Sequence, residues 1–138
     1  MSSALNICEI PEDVRKILKE FRFKQVESFE AVILKINATN HTIILDTRLE
    51  DSSIEELQEE LPDQQPRFVL LSYKLTRPDG RVSYPLCLLF YSPTCKVELQ
   101  MLYAGSRNYL VKEAGITKLA EVRELEDITQ EFLDERCG

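Results

Sequence analysis

Residues 68–91, FVLLSYKLTRPDGRVSYPLCLLFY, contain two apolar runs separated by a turn signal. Within the turn, Pro78 presets one backbone torsion and Gly80 accepts a positive one. The two runs are therefore predicted to pair as antiparallel strands. Both runs are almost continuously apolar, which is typical of strands that are covered on both faces. Pro85 cannot donate to a strand ladder, so we expect it near the beginning of a strand or beside a bulge.

Beyond this hairpin the hydrophobic period changes from that of a strand to that of a helix. Residues 97–112 predict a long helix, and Gly115 suits its end. Residues 117–123 predict a short last strand, which can lie parallel to its neighbour because a helix connects the two. Residues 127–133 predict a final helix. One face of the long helix is apolar except for its serine, and it comprises Leu99, Leu102, Tyr103, Ser106 and Leu110.

The N-terminal half predicts a helix, a hairpin and a second helix. Pro11 and two acids open the first helix, whose apolar stripe runs from Val14 to Phe21. Residues 31–36 and 42–47 predict a hairpin, and an acidic helix capped by Ser52 or Ser53 ends at Leu61. The expected fold is α/β (α+β): a single domain over residues 1–138, with a central mixed, mostly antiparallel sheet sandwiched between helices.

Charge and hydropathy limit the class of partner. The chain has 138 residues and a formal net charge of −7, the wrong sign for non-specific binding to nucleic-acid phosphates. The longest apolar run is too short to span a bilayer, and no signal peptide is recognisable. We therefore expect no nucleic acid and no membrane among the partners.

Catalytic and metal-binding signals are weak. The four cysteines form no CxxC pair, and only one histidine, His41, is present. No zinc-ligand spacing and no glycine-rich phosphate loop occur, so we expect no metal, no cofactor and no enzymatic activity. We expect reduced thiols, with Cys87 a small buried apolar residue. A small hydrolase that uses His41 with a cysteine or carboxylate is the alternative that the sequence leaves open.

Several long motifs resemble those of one family. The segment Gln100-Met-Leu-Tyr-Ala-Gly-Ser-Arg-Asn108, following an apolar strand and Ser92-Pro93, resembles the long-helix signature of actin-depolymerising-factor homology domains. Further similar stretches are residues 21–24, 60–68, 79–87 and 117–123. The similarity is closer to glia maturation factors than to cofilins, because the helix has Gly105-Ser-Arg107 where cofilins tend to carry paired lysines.

The resemblance implies two partner-binding faces. Carried over residue by residue, the first face would use the N-terminal tail, the long helix and the segment before the last helix. Helical phase, by contrast, places Leu110 on the buried stripe. The residues implied for the first face are Ser2, Ser3, Leu5, Met101, Ser106, Arg107 and Leu110. Those implied for the second face are Arg22, Lys24, Asp79, Gly80, Arg81, Glu131 and Asp134.

The resemblance also implies a function. Members of the glia maturation factor group bind the actin-related protein 2/3 complex, remove branches from actin networks and inhibit branch nucleation. The expected protein is a monomer in the cytoplasm, at the actin-rich cortex and lamellipodia, with an adjacent actin subunit at the branch as a second partner. The alternative is a cofilin-like protein that severs or depolymerises filaments. Phosphate added at Ser2 or Ser3 would change the charge of the tail and hence its affinity for the partner. An unmodified and disordered tip is the alternative that the sequence leaves open.

Overall fold

The computed structural model describes residues 8–23, 28–37, 39–116 and 118–137. Its central element is a five-stranded sheet with the order β2-β1-β3-β6-β7. The pairs β1–β2, β1–β3 and β3–β6 are antiparallel, and β6–β7 is parallel. The strands are β1 (Phe29–Asn37), β2 (Thr42–Leu49), β3 (Arg67–Tyr73), β4 (Leu75–Thr76), β5 (Val82–Ser83), β6 (Leu86–Tyr91) and β7 (Leu119–Val122).

Helices cover both faces of the sheet. One face carries α1 (Glu12–Arg22) and α3 (Val97–Ala114), and the other carries α2 (Ile54–Glu60) and α4 (Gln130–Cys137). Alternate residues of the central strands enter opposite cores: in β1, Val32 and Leu34 face α1 and α3, whereas Ala31 and Ile33 face α2 and α4. The predicted mixed sheet between helices is confirmed. In the described ranges, no helix combines the length and apolar character needed to cross a membrane.

The predicted antiparallel pairing of residues 68–91 is confirmed, with an interruption. The long strands β3 and β6 pair from Arg67↔Tyr91 to Ser72↔Leu86. Beyond them, β4 and β5 form a separate two-stranded ribbon around the turn at Gly80, which has φ 92°. Pro85 lies between β5 and β6, at the strand beginning where we expected it.

The buried face of α3 agrees with the predicted stripe. Tyr103, Ser106 and Leu110 are buried, and the helix ends at Gly115 in the left-handed conformation, with φ 70°. The pairing of β1 with β3 reaches only Leu34, and beyond it the Ile36 N–H donates a 2.9 Å hydrogen bond to the Tyr103 hydroxyl. This bond fixes α3 across the sheet near the β1–β2 turn.

Two expectations are wrong. The final helix begins later than predicted: Leu125–Asp127 form a 3-10 turn, and Ile128 is buried outside any helix. The Thr129 side chain accepts a 3.1 Å bond from the Phe132 N–H, so Thr129 caps α4, and Leu133 becomes the buried residue of the helix. Cys87 is fully buried as expected, but it is disulfide-bonded and is not a reduced thiol.

Candidate partner-binding faces

The side of α3 that faces away from the sheet is partly apolar. Val97 is 64% exposed and Met101, one turn later, is 55% exposed. Ala104, Gly105 and Asn108 continue this exposed side along the helix. Exposed apolar side chains on successive turns offer a surface on which a partner could bury area. Met101, which the resemblance implied for the first face, is therefore accessible to a partner.

Arg107 lies at the edge of this surface and reaches from α3 to β7. Its Nη1 donates to Glu121 Oε1 at 3.2 Å, and its Cζ lies 5.7 Å from the centre of the Phe90 ring. Phe90 and Glu121 are register partners on β6 and β7, which explains how one side chain contacts both. The Arg107 side chain keeps 28% of its surface exposed. These two contacts orient the Arg107 side chain, which remains accessible.

Two residues predicted for the first face are in the core. Leu110 and Ser106 are both 0% exposed. The Ser106 hydroxyl accepts a 3.0 Å hydrogen bond from the Cys8 N–H and donates a 3.1 Å bond to the Leu102 carbonyl. The expectation that these side chains meet a partner is corrected: they lie on the side of α3 that packs on the sheet. Ser2, Ser3 and Leu5 fall outside the described residues.

An open groove runs beside Arg107 along the edge strand. Its volume is about 640 Å³, and its walls come from the end of β7 and the segment before α4. Three acidic side chains and one cation border it. The lining residues are Thr94, Glu121, Val122, Arg123, Glu124, Asp127 and Phe132. The exposed side of α3 and the segment before α4, which the resemblance implied as parts of one face, are therefore neighbours through Glu121.

Of the residues predicted for the second face, Arg22, Asp79, Gly80 and Arg81 lie at the opposite end of the sheet, which we call the ribbon end. Here β3 ends, β6 and β7 begin, and the β4–β5 ribbon extends outward. The Lys74 N–H donates to the Ser28 carbonyl at 3.2 Å, which holds the start of β1 against this ribbon. Asp79, Gly80 and Arg81 form its exposed tip.

Arg22 lies at the same end, where α1 and α3 both finish. A Cβ atom placed on Gly115 would be 2.6 Å from Arg22 Nη1, so the guanidinium rests directly on the last turn of α3. Arg22 Cζ also lies 5.1 Å from the centre of the Phe23 ring. Lys24, the other cation predicted here, lies outside the described residues.

The remaining residues predicted for the second face differ in their exposure and in their hydrogen bonds. Arg81 is 77% exposed, and its Nε donates to Asp79 Oδ2 at 2.8 Å. Glu131 is exposed on α4. Asp134 is only partly exposed, and its Oδ1 accepts hydrogen bonds from the Tyr73 hydroxyl at 2.9 Å and from Gln130 at 2.8 Å. Asp134 thus connects α4 to the end of β3.

Sequence reasoning missed three residues of these surfaces. Val97 follows from the helical spacing to Met101, a signal that was present. Phe23 is 71% exposed. The sequence indicated this exposure, because Phe23 lies off the apolar stripe that ends at Phe21. The contact of Glu121 with Arg107 had no signal in the sequence, because it depends on how β7 packs beside α3.

The hydrolase alternative gains no support from the placement of His41. This residue is exposed in the β1–β2 turn with φ 54°, and its carbonyl accepts a 3.0 Å bond from the Glu9 N–H. Within residues 8–23, 28–37, 39–116 and 118–137, no group of three or more His, Cys, Asp or Glu side chains is placed to hold a metal ion.

Comparison with known proteins gives consistent similarities. Residues 7–138 match the family model of cofilin/tropomyosin-type actin-binding proteins. The chain is 48% identical to human glia maturation factor beta over 139 aligned positions, covering 100% of this chain and 98% of the relative. The solution structure of glia maturation factor from Caenorhabditis elegans superposes with a TM-score of 0.83 at 47% identity, covering 99% of both chains. Actin depolymerization factor 2 from Plasmodium berghei has a TM-score of 0.78 at 20% identity, covering 94% of this chain and 95% of its own, and shares the fold.

Proposed function

Because the chain belongs to the family of cofilin/tropomyosin-type actin-binding proteins, and within it to the glia maturation factors, we propose that it regulates branched actin networks. In this proposal it binds the actin-related protein 2/3 complex, promotes the loss of branches and inhibits the nucleation of new ones. It does so as a stoichiometric binding protein in the cytoplasm, at the actin-rich cortex and lamellipodia, and not as an enzyme.

The proposal rests on the difference between two sequence identities, one to a glia maturation factor and one to an actin depolymerization factor. Identity to a glia maturation factor is 48% over the whole chain, whereas identity to an actin depolymerization factor of the same fold is 20%. Since the fold is common to both groups, the fold alone does not choose between their partners. The full-length identity favours the partner of the glia maturation factors.

The first face supports the proposal through its pre-arranged shape. Val97 and Met101 offer apolar area, and Arg107 is already oriented by Glu121 and Phe90. Side chains that are ordered before binding lose less conformational entropy when a partner docks. We assign this face, with the tail and the groove beside β7, to an actin-related subunit of the complex.

The second face is a separate surface near the C-terminal end of α3, the helix that carries Met101 and Arg107 of the first face. Arg22 and Arg81 are exposed cations on a chain whose net charge is negative, and Lys24 adds a third in the sequence. We assign the ribbon end to the neighbouring actin subunit at the branch. Charge at such an interface contributes more to orientation and association rate than to net affinity.

Branch loss then follows from differential binding. A bound protein shifts an equilibrium between two arrangements only by as much as its affinity for them differs. The proposal therefore requires that the two faces together fit the separated or inactive arrangement of the junction better than the intact branch.

The deciding experiment is a branched-network assay with purified actin and purified actin-related protein 2/3 complex, in which single branches are followed by fluorescence microscopy. We expect branch lifetime to shorten, and new branches to become fewer, as this protein is added. A parallel assay on unbranched filaments tests the cofilin-like alternative. Severing or co-sedimentation with unbranched filaments, together with an unchanged branch lifetime, would replace the proposal by that alternative.

A further inference from the structure

Gly115 does more than end α3, because its missing side chain makes room for Arg22. A Cβ at this position would lie 2.6 Å from Nη1, 2.9 Å from Cζ and 3.3 Å from Nε of Arg22. Cβ atoms in proteins do not approach other atoms this closely, so any side chain here would displace the guanidinium. Gly80, the other glycine with positive φ in the described chain, has open space in the same position.

The guanidinium lies where two helices end. Contacts between α1 and α3 progress in the same direction along both: Arg15 bonds to Tyr109 and Glu113, and Arg22 then reaches Gly115. The two helices therefore run side by side and finish together. Each helix C-terminus carries partial negative charge, which favours a cation at this point.

The aromatic ring of Phe23 completes the arrangement. Arg22 Cζ lies 5.1 Å from the ring centre, within the range of a cation–π contact. The ring itself is 71% exposed, which makes Phe23 the most exposed large apolar side chain among the described residues. The cation and the ring thus form one exposed pair at the ribbon end.

We propose that Gly115 is a positioning residue of the second face: the absence of its side chain allows the Arg22 guanidinium to rest on the end of α3, beside Phe23, in the orientation that a partner meets. This inference rests on the proposed function, since it assigns the pair to the second face. Both faces are then built on α3, because the helix that bears Met101 and Arg107 ends in the glycine against which Arg22 rests.

The test is a double-mutant cycle of Gly115→Ala and Arg22→Ala. The displaced atoms belong to the far end of a long, flexible side chain, so Gly115→Ala moves the guanidinium without opening the core. Alanine at positive φ also strains the backbone, and this strain is the same in both backgrounds. Thermal unfolding of all four proteins measures it separately.

In the branched-network assay, we expect Arg22→Ala to lower the debranching rate severalfold and Gly115→Ala to reproduce at least half of that loss on a logarithmic scale. In the Arg22→Ala background, Gly115→Ala should cause no further loss. A Gly115→Ala protein with the wild-type rate, or losses that simply multiply in the double variant, would overturn the positioning role.

A second measurement separates this inference from the proposed function. Nitrogen-15 relaxation of the Arg22 Nε–Hε group reports how firmly the guanidinium is held, with or without a partner. We expect an ordered signal in the wild type that becomes mobile in Gly115→Ala. If Arg22→Ala debranches at the wild-type rate but the Arg22 Nε–Hε group becomes more mobile in Gly115→Ala, the second-face assignment fails and the positioning role stands. If the mobility of this group is the same in Gly115→Ala as in the wild type, the positioning role itself is overturned.

Discussion

The Tyr73 hydroxyl donates a 2.9 Å hydrogen bond to Asp134 Oδ1, and this bond ties the end of β3 to α4. Tyr73 is 3% exposed, so its hydroxyl has little access to water. Removing it with Tyr73→Phe is expected to lower the free energy of unfolding by about 1–2 kcal/mol, because hydrogen bonds to charged groups are among the stronger ones. Urea unfolding measures the change. Asp134→Asn, which keeps an acceptor oxygen, should cost less than Tyr73→Phe; the reverse order would contradict this account.

Stability is expected to fall at alkaline pH. Burial, and then the hydrogen bond to Asp134, raise the pKa of Tyr73, and burial also raises the pKa of Tyr91 and Tyr103. The folded protein thus favours the neutral phenols, whereas tyrosines of the unfolded chain ionise near pH 10. This stabilisation is complete below about pH 10 and is lost as the pH rises above it.

Urea unfolding between about pH 8 and about pH 11 measures this loss. Tyr73→Phe removes one of the ionisable groups, so its decline over that range should be shallower than that of the wild type. Parallel curves for the two proteins would remove Tyr73 from the explanation.

Ser106→Ala separates a core role from a binding role. The substitution leaves the buried Cys8 N–H without its 3.0 Å acceptor, and we expect a loss of about 1–3 kcal/mol in the free energy of unfolding. Asn108→Ala, on the exposed side of the same helix, should change stability by less than about 0.5 kcal/mol. A stable Ser106→Ala protein with much weakened binding would instead return this residue to the first face.

Arg107→Ala is expected to weaken binding to the actin-related protein 2/3 complex by about tenfold, the effect of losing one pre-oriented arginine contact of about 1.4 kcal/mol. Titration of the labelled complex measures the affinity. Glu121→Gln, which removes the charge that orients Arg107 but keeps the arginine, should have a smaller effect. Lys16→Ala removes an exposed cation from α1 and serves as the control for net charge. Equal losses in Lys16→Ala and Arg107→Ala would show that only charge matters.

The second face is expected to affect branch loss more than binding. The Lys24→Ala, Arg81→Ala double variant should keep affinity for the complex within about threefold, because rim charges contribute little to net affinity. Its debranching rate should fall severalfold, as measured by branch lifetime at saturating protein. A double variant that dissolves branches at the wild-type rate would leave the ribbon end without a role.

Periodicity and turn chemistry predicted most of the fold because they act locally. Tyr103 and Leu110 were placed on the buried stripe of α3 by spacing alone, and the β4–β5 turn followed from Pro78 and Gly80. The predicted start of α4 at Asp127 is wrong because Thr129, another residue type that favours helix starts, makes the capping bond.

The candidate sites were less predictable because they depend on tertiary packing. Helical phase already placed Ser106 and Leu110 inward, and the structure agrees with that phase and not with the family pattern carried over to them. Whether Arg22 rests on Gly115, or Arg107 reaches Glu121, depends on which helix ends and strand edges become neighbours. A single sequence does not record those distances.

The length of α3 fixes the distance between the first face and the second face, and therefore between the two subunits that the protein could contact at once. Met101 and the contact point of Arg22 at Gly115 are separated by about 20 Å at the usual helical rise of 1.5 Å per residue. Because α3 packs on the sheet along its buried side, it cannot shorten or bend to fit a different pair of partner surfaces. Two subunits can be engaged at once only if they present their docking sites at about that separation, so the protein would discriminate between assemblies by their geometry even where the individual surfaces are alike.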